Sequence, residues 1–277
     1  IIVTASVDDT GDVTEDTPDE TAVTLSDSGG IAFYDGDISN PHTVDVTDDA
    51  GNTVGGTLSV SLTDADTTTG NGFVDWTYVV DNSAVQYLGE GETVTESFTV
   101  TITDADNLSV EDVVTVTVTG VNDDATITEE GGGDYAVQED TDSAAGGTLD
   151  VTDVDQNQSS FATTDTGTQD GTYGTFSFDA STGAWSYVLD DTDPDTQALG
   201  GTASDTEVFT VHAYDGTAFD VTVTVQGTND PATISETSGE HALVEDGGSG
   251  NGTTGDSTAG GTLSVTDVDT GESSFAS

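Results

Sequence analysis

Apolar residues alternate with polar ones along most of this chain. In the first part, four runs carry apolar side chains at every second position, with Thr, Ser or Asp between them; they lie at 58–62, 74–80, 98–102 and 114–118. A period of two predicts strands that have one buried and one solvent-facing side. Clusters of Gly, Asn and Asp separate the runs and predict turns. The pattern therefore predicts an all-β protein, with short helical turns only at 82–88 and 192–199.

The same pattern returns after about 107 residues. The segment WTYVVD at 76–81 reappears as WSYVLD at 185–190, and GVND at 120–123 reappears as GTND at 227–230. A repeat of this length suits one immunoglobulin-sized β-sandwich. We therefore predict one module at 1–123, a second at 124–230, and the start of an incomplete third at 231–277. Trp76 and Trp185 occupy matched strand positions, which predicts that both are core residues.

The charge of the chain limits its partners. It has 55 Asp and Glu and no Lys or Arg, for a formal net charge of -55. Nucleic acids and anionic membrane surfaces are excluded as direct partners, because binding to them depends on Lys and Arg. Mutual repulsion among the acids also predicts an extended tandem array, bound cations, or both. Asp outnumbers Glu by 41 to 14, and Asp favours turns and tight oxygen cages for hard cations.

Other classes of protein find little support in the sequence. There is no Cys, so disulfides and thiol chemistry are excluded, and no stretch approaches the roughly 20 apolar residues of a membrane span. His42, His212 and His241 fall at unrelated positions in the repeat, and no Ser lies in the context of a catalytic nucleophile. We therefore expect neither an enzyme nor a protein inserted in a membrane.

Four acidic motifs recur at matched positions, at strand ends or between modules. They are the Glu-Asp pairs Glu15 with Asp16, Glu139 with Asp140 and Glu245 with Asp246; the Asp-x-Asp pairs Asp153 with Asp155 and Asp267 with Asp269; the strand-ending acids Asp104 and Asp215; and the linker pairs Asn122 with Asp123 and Asn229 with Asp230. Calcium takes 6–8 oxygen ligands, so a cage needs several such groups to converge. A single pair is equally well read as a solvated turn, whereas the recurrence favours calcium.

The chain resembles the VCBS repeat of large bacterial RTX-type surface adhesins. The resemblance is carried by GTLSVTDVD at 261–269, QALGG at 197–201 and DTEVFTVHAYDG at 205–216. VCBS modules are similar in layout to cadherin repeats, so the resemblance implies immunoglobulin-like or cadherin-like sandwiches with calcium between successive modules. It implies a first site made of Glu15, Asp104, Asn122, Asp123, Asp153 and Asp155. It implies a second site made of Glu139, Asp215, Asn229, Asp230, Asp267 and Asp269.

The leading functional hypothesis is a non-catalytic extracellular or cell-surface protein, a calcium-stiffened stalk or filament subunit with a structural or adhesive role. Its expected partners are neighbouring modules or identical subunits, which would join head to tail by strand complementation, and surface glycans or proteins. One alternative is a carbohydrate- or protein-binding module of a secreted adhesin or hydrolase. Aromatic residues clustered on loops would favour that alternative, but nearly all aromatics here lie in predicted strands.

Overall fold

The computed structural model describes residues 1–17, 21–37, 41–65, 70–240 and 259–276. The chain forms two compact units. Unit 1 comprises Ile1–Thr126 with Thr152–Ser159, and unit 2 comprises Ile127–Val151 with Ser160–Ser277. Nearly all regular structure in the described residues is β-strand, which confirms the all-β prediction.

Unit 1 contains two four-stranded sheets. Its strands are β1 (Ile2–Asp8), β2 (Thr10–Thr14), β3 (Thr24–Tyr34), β4 (His42–Asp48), β5 (Thr57–Ala65), β6 (Asn71–Asp81), β7 (Thr93–Asp104) and β8 (Ser109–Thr119). The strand orders are β1-β3-β6-β5 and β2-β8-β7-β4. The pair β2–β8 is parallel. A short 3-10 helix, Asn82–Ala84, follows β6.

The core of unit 1 fills the space between these sheets. Trp76 and Tyr78 of one sheet and Phe98 of the other are at most 1% exposed and belong to one apolar cluster. Tyr78 and Phe98 meet edge to face, with ring centroids 5.8 Å apart. The Trp76 indole donates to the carbonyl of Asp8 at 2.7 Å, which satisfies its polar atom. The alternating residues predicted to be buried therefore form the interior of a β-sandwich.

Unit 2 is a second sandwich with a related topology. Its strands are β9 (Thr126–Asp134), β10 (Ala136–Gln138), β11 (Ala144–Thr152), β12 (Gly167–Asp170), β13 (Gly174–Asp179), β14 (Ala184–Leu189), β15 (Ser204–His212), β16 (Ala218–Gln226), β17 (Thr233–Glu240) and β18 (Gly260–Thr266). The sheets run β12-β13-β14-β11-β9 and β10-β16-β15, and β17 pairs with β18. Phe176 stacks on Phe209 across the two larger sheets at 4.7 Å.

Two details repeat between the units. The pair β10–β16 is parallel, as is β2–β8, and a one-turn helix, α1 (Pro194–Gln197), stands where unit 1 has its 3-10 helix. These two helical segments lie where the sequence predicts them, whereas a further 3-10 helix, Thr163–Asp165, was not predicted. One detail differs. In unit 1 the strand before β5 pairs with β7, whereas in unit 2 the strand before β13 pairs with β13 itself.

Candidate cation-binding clusters

Glu15 is the most enclosed member of the first carboxylate cluster, which comprises Glu15, Asp16, Asn122, Asp123, Asp153 and Asp155. It follows β2 directly and continues the parallel pairing, because its amide donates to the carbonyl of Thr119 at 2.9 Å. Only 1% of the residue is exposed. Its carboxylate accepts from the amide of Val121 at 3.1 Å and from the side-chain amide of Gln86 at 2.7 Å. The side chain is thereby fixed beside the segment that follows β8.

Asp16 lies in the turn that follows β2. Its φ of 54° lies in the left-handed region, which Asp tolerates better than most residues. Its carboxylate accepts from the side chains of Asn82 and Gln86 at 2.7 and 2.9 Å. The helical segment after β6 thus supplies amide groups that hold the Glu-Asp pair in place.

The Asp-x-Asp loop joins the same cluster. Asp155 donates its amide to the carboxylate of Asp153 at 2.8 Å, and the amide of Asp123 donates to the carboxylate of Asp155 at 3.2 Å. Asp155 is only 2% exposed. The side-chain amide of Asn122 folds back onto the carbonyl of Asp123 at 3.1 Å. Three segments far apart in sequence therefore meet here.

The electrostatics of this cluster disfavour a full set of charges. Burial, with smaller contributions from the nearby carboxylates of Asp123, Asp16 and Asp155, raises the pKa of Glu15 to about 7, against the lowering effect of the Val121 amide. The chain has no Lys or Arg to compensate them. A bound cation would relieve this repulsion.

The second cluster repeats the first within unit 2. Glu139 is fully buried, and its carboxylate accepts from the amide of Thr228 at 2.9 Å and the side chain of Gln197 at 2.8 Å. Asp140 follows with a φ of 61°. Burial raises the pKa of Glu139, and Asp230 is the largest of the neighbouring charges that add to this.

The Asp-x-Asp loop of the second cluster also has the same bonds. Asp269 donates its amide to Asp267 at 3.0 Å, and the amide of Asp230 donates to Asp269 at 2.9 Å. The side chain of Asn229 donates to the carbonyl of Asp230 at 2.7 Å. Burial and the charges of Asp140 and Asp269 raise the pKa of Asp230. The second cluster therefore consists of Glu139, Asp140, Asn229, Asp230, Asp267 and Asp269.

Several carboxylate oxygens in the two clusters are buried without a hydrogen bond. They are Oδ2 of Asp153, Oδ2 of Asp230 and Oδ1 of Asp269, for which the described residues offer no donor. Asp269 as a whole is 2% exposed. A buried charged oxygen without a partner is costly. These atoms are suited to accept a cation.

Asp104 and Asp215 were also predicted as ligands, but they lie apart from both clusters. Asp104 ends β7, and its carboxylate caps the turn to β8 by accepting from the amides of Asp106 and Leu108 at 2.9 Å. Glu15 lies beside Thr119, at the other end of β8. Asp215 caps the equivalent turn after β15 by accepting from the amide of Thr217 at 2.9 Å. An acid at the end of the long strand is a full strand length away from the Glu-Asp pair.

The described residues contain no group of three or more His, Cys, Asp or Glu side chains already disposed as a metal cage. The carboxylates instead face backbone amides and glutamine side chains, as detailed above. His42 contacts Asp35 at 3.1 Å and His212 contacts Asp165 at 3.0 Å. Glu245, Asp246 and His241 lie outside the described residues.

A further pair of buried carboxylates escaped the sequence analysis. Glu96 is fully buried and accepts from the amides of Val54 and Gly56, both at 3.0 Å, and from the Tyr78 hydroxyl at 2.9 Å. Burial and this bond raise the pKa of Tyr78. Glu207 repeats the arrangement in unit 2 with the Tyr187 hydroxyl and the amides of Thr172 and Tyr173. The sequence feature that could have indicated both residues is the Glu that lies shortly before a Phe at the matched position of each repeat.

The glutamines that hold Glu15 and Glu139 were also missed as site residues. Gln86 and Gln197 each open a Gln-x-Leu-Gly segment, at 86–89 and 197–200. The loop lies close to the linker glycine, because a Cβ on Gly120 would collide with the carbonyl of Leu88, and one on Gly227 with that of Leu199. The repeated glycine of GVND and GTND is therefore required for this close approach.

No family model and no curated protein matches the chain. The solved structures that resemble it are cadherin extracellular domains. Mouse cadherin-23 EC22–24 has 18% identity and a TM-score of 0.39, covering 96% of this chain and 77% of that structure. Protocadherin gamma B7 domains 1–4 have 13% identity and a TM-score of 0.36, and the chain spans 60% of that structure.

A third structure, protocadherin gammaB7 EC3–6, has 13% identity and a TM-score of 0.41, covering 96% of this chain and 56% of that structure. Because the TM-scores of these structures are low, the two-sheet architecture rests on the strand pairing described above.

None of the helices in the described part of the chain is long and apolar enough to span a membrane.

Proposed function

We propose that this chain is a calcium-binding, non-catalytic repeat protein of the cell surface or extracellular space, with a structural or adhesive role. The observation that carries the proposal is the double occurrence of one carboxylate cluster. In both units a buried Glu, the Asp of an Asn-Asp linker and an Asp-x-Asp loop make the same hydrogen bonds. Turns formed by chance would not reproduce a set of contacts between three distant segments.

The donor chemistry favours calcium. Every candidate ligand is a carboxylate, amide or backbone oxygen, and calcium prefers 6–8 such oxygens. The ligands of the first cluster would be Glu15, Asn122, Asp123, Asp153 and Asp155; those of the second would be Glu139, Asn229, Asp230, Asp267 and Asp269. Gln86 and Gln197 would position the two Glu side chains. Binding would require the Asp side chains to turn toward a shared cation while the loop backbone stays in place.

Calcium at these clusters would have a structural effect. Each ion would cross-link the end of a parallel strand, a linker and an Asp-x-Asp loop, and it would neutralise part of a net charge of -55. Repulsion between carboxylates otherwise opposes compact packing. Such ions would stiffen a stalk or filament in which neighbouring modules or identical subunits are joined.

Calorimetric titration tests the proposal. Calcium added to the full chain should bind at sites that the double substitution Asp153→Asn with Asp155→Asn removes in unit 1 only. Asp267→Asn with Asp269→Asn should remove the sites of unit 2 only. Replacing an exposed Asp that no cluster contains, Asp150→Asn, is the matched control. An unchanged calcium stoichiometry in both double variants would refute the assignment of these loops as calcium ligands.

A further inference from the structure

The three-stranded sheet of unit 2 lacks a strand that its counterpart in unit 1 has. In unit 1, β7 lies between β8 and β4. In the described part of unit 2, the matched strand β15 pairs with β16, and on its other side only its last residue, His212, bonds to the backbone of Ala162. The match is given by the sequence, since ESFTV at 96–100 corresponds to EVFTV at 207–211. One edge of β15 therefore faces away from the sheet.

The chain before β13 leaves the edge of β15 sooner than β4 leaves the edge of β7. β4 crosses to the sheet of β7 and pairs with it antiparallel, from His42 with Asp104 to Asp48 with Phe98. In unit 2 the segment before β12 reaches only the end of β15, where Phe161 pairs with Ala213, and β12 then forms a hairpin with β13 in the opposite sheet. Two strands of unit 2 thus become edges on the same side of the sandwich, where unit 1 has the adjoining strands β4 and β5.

The backbone groups on the open edge can be identified. His212 donates its amide to Asp165 at 2.6 Å, and its carbonyl accepts from the amide of Ala162 at 2.9 Å, so its backbone points away from β16. Alternate residues of a strand point the same way, which places the amides and carbonyls of Val208 and Thr210 on this edge. The matched residue of unit 1 agrees, because Ser97 bonds through its amide and carbonyl to the segment that follows β4.

A groove runs along this edge. It has a volume of about 560 Å³ and is lined by residues 169–172 on one side and 206–209 on the other. Phe209 and Glu207 lie at its buried side, and Val208 is 55% exposed at its rim. Natural proteins usually protect an edge strand with Lys, Pro or a covering segment. β15 contains neither Lys nor Pro.

The charge around the groove indicates its occupant. Asp170, Asp205 and Asp220 are exposed on or beside the strands that border it, and the chain has no Lys or Arg to balance them. A second copy of the chain would bring another -55 to the same edge. An extended segment with basic side chains would meet complementary charge.

We propose that the edge of β15 is a docking site for an extended Lys- or Arg-containing segment of a partner protein, which adds as a strand antiparallel to β15. Val208 and Thr210 exchange backbone hydrogen bonds with the segment, as β4 does with β7. The basic side chains face the acids of the rim, and alternate small apolar side chains enter the groove. Ala162 and Phe161 already hold His212 and Ala213, so the added strand covers 206–210.

The test uses a peptide built on β4, the strand that pairs with β7 in unit 1. The probe is the acetylated and amidated 42–48 peptide with Asp45 and Asp48 replaced by lysine. It is titrated into the full chain while amide hydrogen exchange is followed by NMR. The amides of Val208 and Thr210 should exchange more slowly as peptide is added, and added salt should weaken the effect.

Matched controls separate edge pairing from general attraction between charges. A lysine peptide that also carries Thr43→Pro and Thr47→Pro lacks two of the donors that face β7 in unit 1 and should not protect the amides. Val208→Lys, at the rim, should weaken binding by about tenfold. Val188→Lys, on the central strand β14 and 56% exposed, adds the same charge and should leave binding unchanged.

Five results would overturn the proposal. Unchanged exchange at Val208 and Thr210 with saturating peptide would remove the docking site. Equal binding of the proline peptide, or equal weakening by Val188→Lys, would show attraction between charges without strand pairing. Equal binding of the unmodified acidic β4 peptide would refute a basic partner. A dimer of the chain that Val208→Lys dissociates in light scattering would identify a second copy as the occupant.

Discussion

Replacing Glu15 with Gln should stabilise unit 1 when calcium is absent. It should also abolish the stabilisation of unit 1 by added calcium. Burial and neighbouring carboxylates raise the pKa of Glu15 from 4.5 to about 7. The folded state therefore holds this proton more tightly than the unfolded chain does. Its free energy of unfolding falls as pH rises from 4.5 to 7, and the loss is complete above pH 7.

The expected magnitude follows from the shift. This rise in pKa corresponds to a difference of about 3 kcal/mol between the two protonation states. Solvent reaches the site past the half-buried Asp123 and Asp153, and its screening reduces the expected loss of unfolding free energy to about 1–3 kcal/mol. Calcium at 100 times its dissociation constant would raise the free energy of unfolding by about 2.7 kcal/mol. At pH 8 the ionisation of Glu15 lowers the free energy of unfolding, whereas bound calcium raises it. Wild-type unit 1 should thus be least stable in chelator at high pH and regain its stability with calcium.

The assay is urea-induced unfolding followed by hydrogen exchange and mass spectrometry, which reads peptides of each unit separately. Glu15→Gln is compared with Glu111→Gln, an exposed residue of the same unit, at pH 5 and pH 8 in chelator and in calcium. The exposed control accounts for the loss of one charge from a highly acidic chain. If Glu15→Gln is no more stable than Glu111→Gln in chelator at pH 8, or if calcium stabilises it as much as wild type, the reasoning fails.

Three further outcomes are expected. Calcium titrated at pH 7 should release protons, measurable as a dependence of the binding heat on the ionisation enthalpy of the buffer, because Glu15 is partly protonated there; a buffer-independent heat would contradict this. Asp104→Asn should leave calcium binding to unit 1 intact in the same calorimeter, since its carboxylate caps the β7–β8 turn; a lost site would return it to the ligand set. Tyr78→Phe should lower the unfolding free energy of unit 1 by about 1–3 kcal/mol in urea, equally with and without calcium, because Glu96 loses one buried donor; a calcium-dependent loss would tie Glu96 to the cation site.

The strand pattern was predictable because one face of each sheet is buried. Alternation placed Trp76, Tyr78, Phe98 and their partners in the core, and the repeat showed that unit 2 would follow the same plan. The early departure of the chain from the edge of β15 was not predictable. The Gly-Thr-Gln-Asp sequence of β12 has no apolar residue, so it is compatible with either of the two sheets. Tertiary pairing decides between them.

The cluster residues were predictable where local sequence holds them together. Asp153 with Asp155, and Asn122 with Asp123, are neighbours in the chain, and their recurrence carried the prediction. The separation of Asp104 from the cluster was not predictable, because an acid at a strand end can lie at either end of a sandwich and only the strand register decides which. Gln86 was missed because a glutamine in a short helical turn has no chemical signature of its own.

The two kinds of buried glutamate in each unit show why a cation is expected at only one of them. Glu96 has three donors, two backbone amides and a tyrosine hydroxyl, so its charge is satisfied by the protein itself and requires no metal. Glu15 has an amide and a glutamine side chain as donors, but it also has Asp123, Asp16 and Asp155 nearby, and these raise its pKa. In a chain with no Lys or Arg, hydrogen bonds can compensate one buried carboxylate but not a cluster of them. Protons would satisfy such a cluster at low pH, and a divalent cation would do so at neutral pH. The difference predicts that removing calcium destabilises the surroundings of Glu15 and Glu139 and leaves those of Glu96 and Glu207 unchanged.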